Sequence, residues 1–277
     1  MSRYRRGGSL LGALVEIIAV MLKMCIVATV WFATTVVPIV FNIIYWIVVV
    51  MIPGIIYFVW SAIGFSKSQY KSVTHNSIFD TYTDKGRLGE YLIYRHLNKQ
   101  FEGAKWLFNI YIPREDGRTT EIDALMIHES GVYVFESKNY SGWIFGSYHR
   151  DQWTQCIKRD ENSRAKKYHF YNPIKQNELH VKWLNALLPE SVHKAISPVI
   201  VFGRRCKLKN IQLDQCDQPV LKLQDLTATF QNWVSLRKLY SSEVNEIYEM
   251  LYPYSQVVYD IKEQHVRDIK TSIGIDD

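Results

Sequence analysis

From Ser9 to Phe65 the chain carries only two charges, Glu16 and Lys23, in a stretch that is otherwise almost wholly apolar. A membrane helix needs roughly 20 such residues, so this run is long enough for two, with a break near Phe32–Pro38. A secretory signal is the competing reading, but its apolar core is only about 7–15 residues and a cleavage site follows it. Arg3, Arg5 and Arg6 precede the first expected span, Lys67 and Lys71 follow the second, and the connection is uncharged. Positive charge is retained on the cytoplasmic side, so both ends are expected there. The sequence thus predicts a multi-pass membrane anchor, residues 1–65, built as a transmembrane helical hairpin with a cytoplasmic C-terminal domain. Glu16 and Lys23 stand seven residues apart and share a helix face. Glu16 reads best as an interfacial charge, and the pair alternatively marks a helix–helix or self-association contact.

The whole chain has 33 Lys and Arg against 27 acids, a net +6. Four of those bases and one acid lie before residue 66, leaving 29 against 26 in the remainder. So slight an excess does not by itself announce a nucleic-acid binder. Cys25, Cys156, Cys206 and Cys216 lack CxxC spacing and fit reduced thiols better than zinc ligands or disulfides.

Beyond the anchor, residues 66–83 are polar and read as a linker. Asp84 is an N-cap candidate for a helix to about Phe101, with Glu90 in its first turns after Gly86 and Gly89. A strand-like run, Trp106–Ile112, precedes a turn containing Pro113 and Gly117. Arg150–Tyr171 mixes six Lys/Arg with three acids and carries Trp153, Tyr168, Phe170 and Tyr171. Such interleaving grips nucleic acid by phosphate contact and stacking, or is an ordinary surface over buried rings. Asn172-Pro173 introduces a helix through Leu188 that carries Gln176. Strands are expected at Val199–Phe202 and Val220–Leu223, helices near Leu226–Tyr240 and Glu243–Leu251, and a polar tail after Tyr254. Helix, three strands, helix and strand make an α/β sandwich on a mixed sheet.

The chemistry concentrates in EIDALMIHESGVYVFESKNY. Two apolar, β-branched runs flank a turn at His128–Gly131, and strand alternation points Glu136 and Lys138 the same way. If Glu129 and Ser130 form a two-residue loop, His128 pairs with Gly131 and Asp123 lies opposite Glu136. Opposed side chains have Cβ atoms roughly 4.5–5.5 Å apart, and two carboxylates so placed repel unless a cation intervenes. A loop one residue longer leaves Asp123 diagonal instead. The bland alternative is a solvated face with a surface salt bridge, worth little. Against it, both strands are apolar on either side of the charges, as in a sheet covered on both faces. One divalent ion and a phosphate fit such a constellation.

GRLGEYLIYRHL, the Asp123–Lys138 hairpin with YSGWIFG after it, the Gln152-Trp153 step and NPIKQN together resemble the nuclease-related domain, NERD. That family belongs to the PD-(D/E)xK, restriction-endonuclease-like superfamily. The resemblance covers roughly residues 84–225, leaving 226–277 as a C-terminal helical extension and tail. It implies a restriction-endonuclease-like mixed sheet flanked by helices. It also implies a site in which Glu90 is the acid of the first helix, Asp123 the central aspartate, Glu136-Ser137-Lys138 the ExK triplet and Gln176 the glutamine of the next helix. Ile122-Asp123 stands where the superfamily label has Pro-Asp. Asp123 and Glu136, with Glu90 directly or through water, are then the expected ligands of Mg²⁺ or Mn²⁺. The expected reaction is metal-dependent hydrolysis of phosphodiester bonds, in DNA rather than RNA. The competing readings are a non-catalytic nuclease-fold module that binds nucleic acid or protein at the membrane, and a membrane sensor or assembly protein. A second copy of the chain and an envelope-associated protein are further partners compatible with an anchor.

Overall fold

In a computed structural model the described residues are 10–158, 164–234, 237–257 and 263–268. The chain divides into two compact units, up to Ile63 and from Gly64 onward.

The first unit corrects the hairpin. Helix α1 (Leu10–Trp31) runs through a π-helical turn, Phe32–Val36, into α2 (Val37–Ser66) without reversing. Among the described residues one helix, Gly12–Ser66, 55 residues, is thus long and apolar enough to cross a membrane. The expected break lacks the Gly, Asn or Asp that a tight reversal needs. Pro38 cannot donate to the carbonyl of Thr34, and its ring crowds that carbonyl. Widening by one residue absorbs the misfit: the N–H of Val37 bonds to the carbonyl of Phe32. Thr34 Oγ1 adds a bond to the carbonyl of Val30 at 2.8 Å. A multi-pass anchor is therefore not what this sequence folds into, and the topology with both ends cytoplasmic, which rested on the hairpin, goes with it.

Residues 66–83, read as a linker, are two capped helices of the second unit. Ser68 caps α3 (Gln69–Thr74), and Ser77 with Asp80 closes a capping box on α4 (Ile78–Thr83). Tyr70 is fully buried. The Gln69 amide mimics a strand neighbour, donating to the carbonyl of Ala104 (2.9 Å) and accepting from the N–H of Trp106 (3.2 Å). The polar composition that suggested a linker supplies caps and backbone partners instead.

Helix α5 (Lys85–Leu97) starts on the Asp84 cap as expected. The main sheet has the order β1 (Lys105–Pro113), β2 (Thr119–His128), β3 (Gly131–Lys138), β7 (Ile196–Phe202), β9 (Val220–Lys222). Pairing is antiparallel from β1 to β3 and parallel beyond. Helix α6 (Pro173–Leu187) lies against β3 and β7. Asn172 caps it, and the Asn172 amide donates to the carbonyl of Arg150 at 2.7 Å, tying the helix start to the turn that precedes Gln152. The core centres on Trp106, Phe108 and Phe135, whose rings stack at 5.9 and 6.0 Å. A short α7 (Glu190–His193) leads to β7. Two helices close the unit, α8 (Leu226–Gln231) and α9 (Ser241–Ser255). The helix expected to reach Tyr240 stops at Gln231, and α9 continues past Leu251. Of the expected tail, residues 258–262 and 269–277 lie outside the described residues, whereas 263–268 are helical and bury His265.

A second sheet was not foreseen as such. Its order is β6 (Lys166–Tyr171), β5 (Gln152–Ile157), β4 (Gly142–Ser147), β8 (Cys206–Gln212). Trp153 packs over Gly146, where a Cβ would meet the indole at 2.1 Å, and stacks on Phe202 at 5.9 Å.

Candidate active site

The hairpin takes the shorter loop: His128 pairs with Gly131 and Ala124 with Phe135. Continued one step past that last pair, the register brings Asp123 beside Glu136. Asp123 Oδ2 accepts from the N–H of Ser137 at 2.7 Å. Glu136 and Lys138 point toward α6, while Ser137 between them points toward α5. There, a Cβ on Gly89 would meet Ser137 Oγ at 2.4 Å. The glycine before Glu90 therefore lets α5 close onto β3.

Glu136 is fully buried. Lys138 Nζ lies 2.5 Å from its Oε1, and His180 Nε2 lies 3.0 Å from its Oε2. Lys138 also donates to Gln176 Oε1 at 3.1 Å. Gln176 and His180 are four residues apart on α6, hence on one face. His180 Nδ1 meets Thr120 Oγ1 at 2.7 Å. With Nε2–H donating to Glu136, the Thr120 hydroxyl donates to Nδ1 and fixes the ring. Asn177 anchors this stretch of α6 through a 3.0 Å bond to the carbonyl of Val134.

These surroundings separate the two carboxyls. Burial pushes the Glu136 carboxyl up, but Lys138 and His180 outweigh it and hold it below its ordinary range. Burial and the Glu136 charge push Asp123 well above its range, against Lys138 and the Ser137 N–H. Opposed carboxyls titrate as a pair, and the Lys138 ammonium and His180 against Glu136 favour the charged form there. Burial favours neutral Lys138, yet Glu136 and Asp123 override it and raise its affinity for the proton. Lys138 is thus a permanent cation, a donor rather than a base.

Glu90 is buried on α5, and its Oε2 accepts from the Asn109 amide at 2.7 Å. Burial is the main cause of its rise to about 8. Asn109 falls opposite Asp123 in the β1–β2 register but leaves the ladder at φ 51°. Asparagine tolerates that left-handed conformation better than most residues. The described residues contain no group of three His, Cys, Asp or Glu arranged to hold a metal ion. Glu90 takes the Asn109 amide, and the Lys138 ammonium lies beside Glu136.

Asp123, Gln176 and His180 open onto a cleft of about 710 Å³, with Arg114 and Arg118 on its wall. His180, Thr120 and Asn109 escaped the sequence reading. A histidine four residues after Gln176 was the available signal for the first. Nothing local marks the other two, because their partners lie 60 and 19 residues away.

Residues 85–203 match the family described as Nuclease-related domain, NERD. An uncharacterized protein of Bacillus anthracis is 35% identical over 184 residues, which cover 66% of this chain and 82% of that protein. No solved structure matches significantly. With Asp123 of the hairpin and the α6 glutamine brought to one cleft, and with these matches, the chain belongs to the NERD, nuclease-related domain, family.

Proposed function

We propose that this protein is a divalent-metal-dependent nuclease that hydrolyses phosphodiester bonds of nucleic acid, DNA before RNA, and is held at a membrane by its single apolar helix. The observation that carries the reading is Asp123 on the wall of a cleft that Arg114, Arg118 and Gln176 also line, one register step beyond the Ala124–Phe135 pair and so beside Glu136, with Lys138 bridging Glu136 and Gln176.

The residues fit Mg²⁺ or Mn²⁺ in kind. Asp123 and Glu136 are hard oxygen donors whose mutual repulsion raises the Asp123 carboxyl, and Mg²⁺ is usually held by one or two carboxylates. When bound there, the ion supplies Lewis acidity at the scissile phosphate. Lys138 places a fixed positive charge where negative charge develops on the phosphate oxygens. Gln176 aims that ammonium. His180 and Thr120 lock the Glu136 carboxylate so that it need not reorganise. Arg114 and Arg118 attract the phosphate backbone to the cleft wall.

The test is thermal unfolding and oligonucleotide cleavage by the full-length protein in detergent, with and without Mn²⁺, for wild type and Asp123→Ala. The reading requires a Mn²⁺-dependent rise in Tm and cleavage in wild type, both lost in the variant. The rival non-catalytic module draws on the observation that an ammonium already sits on Glu136. No Tm rise and no cleavage in either protein would establish that rival.

A further inference from the structure

Alternation along the second sheet separates two faces. Ile144, Trp153 and Phe170 point into its core cluster. The opposite face is read from the register: Trp143 pairs with Lys207 on one side and Cys156 on the other, and Cys156 pairs with Lys167. One row across all four strands is therefore Lys207, Trp143, Cys156, Lys167. The next row sets Phe145 beside Thr154 and His169, and beyond it Gln152 pairs with Tyr171. Trp143 is 43% exposed and Tyr171 is 51% exposed. The four strands contain Lys166, Lys167, Lys207 and Lys209 and no acid. Exposed rings on a sheet face whose strands carry lysines and no acid are a costly surface for a fold to leave in water.

We infer that this face is a binding platform for single-stranded nucleic acid, leading it to the cleft that holds Asp123. The inference rests on the nuclease reading and names the form of its substrate. Bases stack on exposed aromatics whatever their identity, and lysines along the strands take the phosphates. A duplex hides its base faces, so it forfeits the stacking that Trp143 and Tyr171 offer. With strands about 4.8 Å apart and about 3.4 Å per residue, those rings lie roughly 17 Å apart diagonally, room for more than one base. The path is continuous: Gln152, His169 and Tyr171 belong both to this face and to the wall of the Asp123 cleft. The basic and aromatic stretch before Tyr171 thereby gains a geometry, with the buried Trp153 and the partly buried Phe170 on the other face.

The test is binding by the full-length protein in detergent and EDTA, read as fluorescence anisotropy of labelled oligo-dT, oligo-rU and a duplex of equal length. Single strands should bind at least tenfold more tightly than the duplex, and the DNA and RNA arms decide between the two sources. Trp143→Ala or Tyr171→Ala should weaken single-strand binding roughly 5- to 100-fold, with Trp143→Phe restoring most of it. Lys167→Gln with Lys207→Gln should reduce the logarithmic salt slope by about 1.4. Equal or tighter duplex binding, unchanged affinity in the variants, or displacement by poly-glutamate at equal charge would overturn the platform, the last indicating an acidic protein partner. Cleavage in Mn²⁺ is scored separately. Duplex cleavage without single-strand preference removes the platform and leaves the nuclease. Single-strand binding without cleavage does the reverse.

Discussion

Lys138 Nζ lies 2.5 Å from Glu136 Oε1 on the same face of β3, in surroundings that leave the glutamate side chain only 1% exposed. The lysine thus has two consequences. On the nuclease reading it would place a cation beside the reacting phosphate, and in the fold it neutralises a carboxylate that the sheet could not otherwise bury.

Lys138→Ala is accordingly expected to lose both activity and stability. Removing the charge should lower cleavage by about 10²–10³-fold. Leaving Glu136 buried without its ammonium should destabilise the second unit by roughly 3–5 kcal/mol in urea titration. Lys138→Met combined with Glu136→Gln removes both charges, so stability should return while cleavage does not. A Lys138→Ala protein as stable as wild type would show that the pair is not a buried ion pair in solution.

His180 and Thr120 act on Glu136 in series, so their effects should not add. His180→Ala leaves Glu136 Oε2 without its partner and should cost about 1–3 kcal/mol. Thr120→Val frees the imidazole and should cost about 1 kcal/mol. In the double variant the threonine has nothing left to fix, so the total should match His180→Ala alone. Additive losses in this double-mutant cycle would separate the two residues.

The parts legible in the sequence were those fixed by local period. The hairpin register follows from a two-residue turn and strand alternation, and the α6 cap from Asn172-Pro173. What escaped depends on distant partners. Tyr70 looks like a linker residue until β1 covers it, and Asn109 reads as an ordinary strand position until Glu90 takes its amide. The second sheet is hidden for the same reason, because β4 pairs with β8, which joins it from more than 60 residues away. The anchor misled for a different reason. Pro38 suggests a break, but an apolar helix with nearby threonines widens by one residue rather than exposing its backbone.

Gly146 sets the spacing between β4 and the Trp153 indole. Gly146→Ala drives a Cβ into the ring and should destabilise by about 1–3 kcal/mol through overpacking. The disturbance should appear in near-ultraviolet circular dichroism, since Trp153 also stacks on Phe202. Trp153→Leu in the same chain opens room for the methyl group. The alanine should then cost less in that background than in wild type, and an equal cost would place the clash elsewhere.

Glu90 gives stability a pH dependence of known sign. Burial raises its carboxyl from an ordinary 4.5 to about 8. Below about pH 4.5 the native and unfolded chains both hold the proton, and Glu90 contributes no slope. Between 4.5 and about 8 the unfolded chain releases the proton while the native chain keeps it. Its share of stability is therefore lost progressively as pH rises through that window, and levels off above it. Glu90→Gln keeps the neutral shape without the titration, so its Tm should match wild type near pH 4.5 and exceed it by roughly 5–10 °C at pH 8. Asp123 is shifted in the same direction, in part by Glu90 itself, so the comparison reads Glu90 together with its coupling to Asp123. Measured in EDTA across that range, a gap that stays constant or narrows toward pH 8 would mean that Glu90 ionises freely in the folded protein and is not sealed behind Asn109.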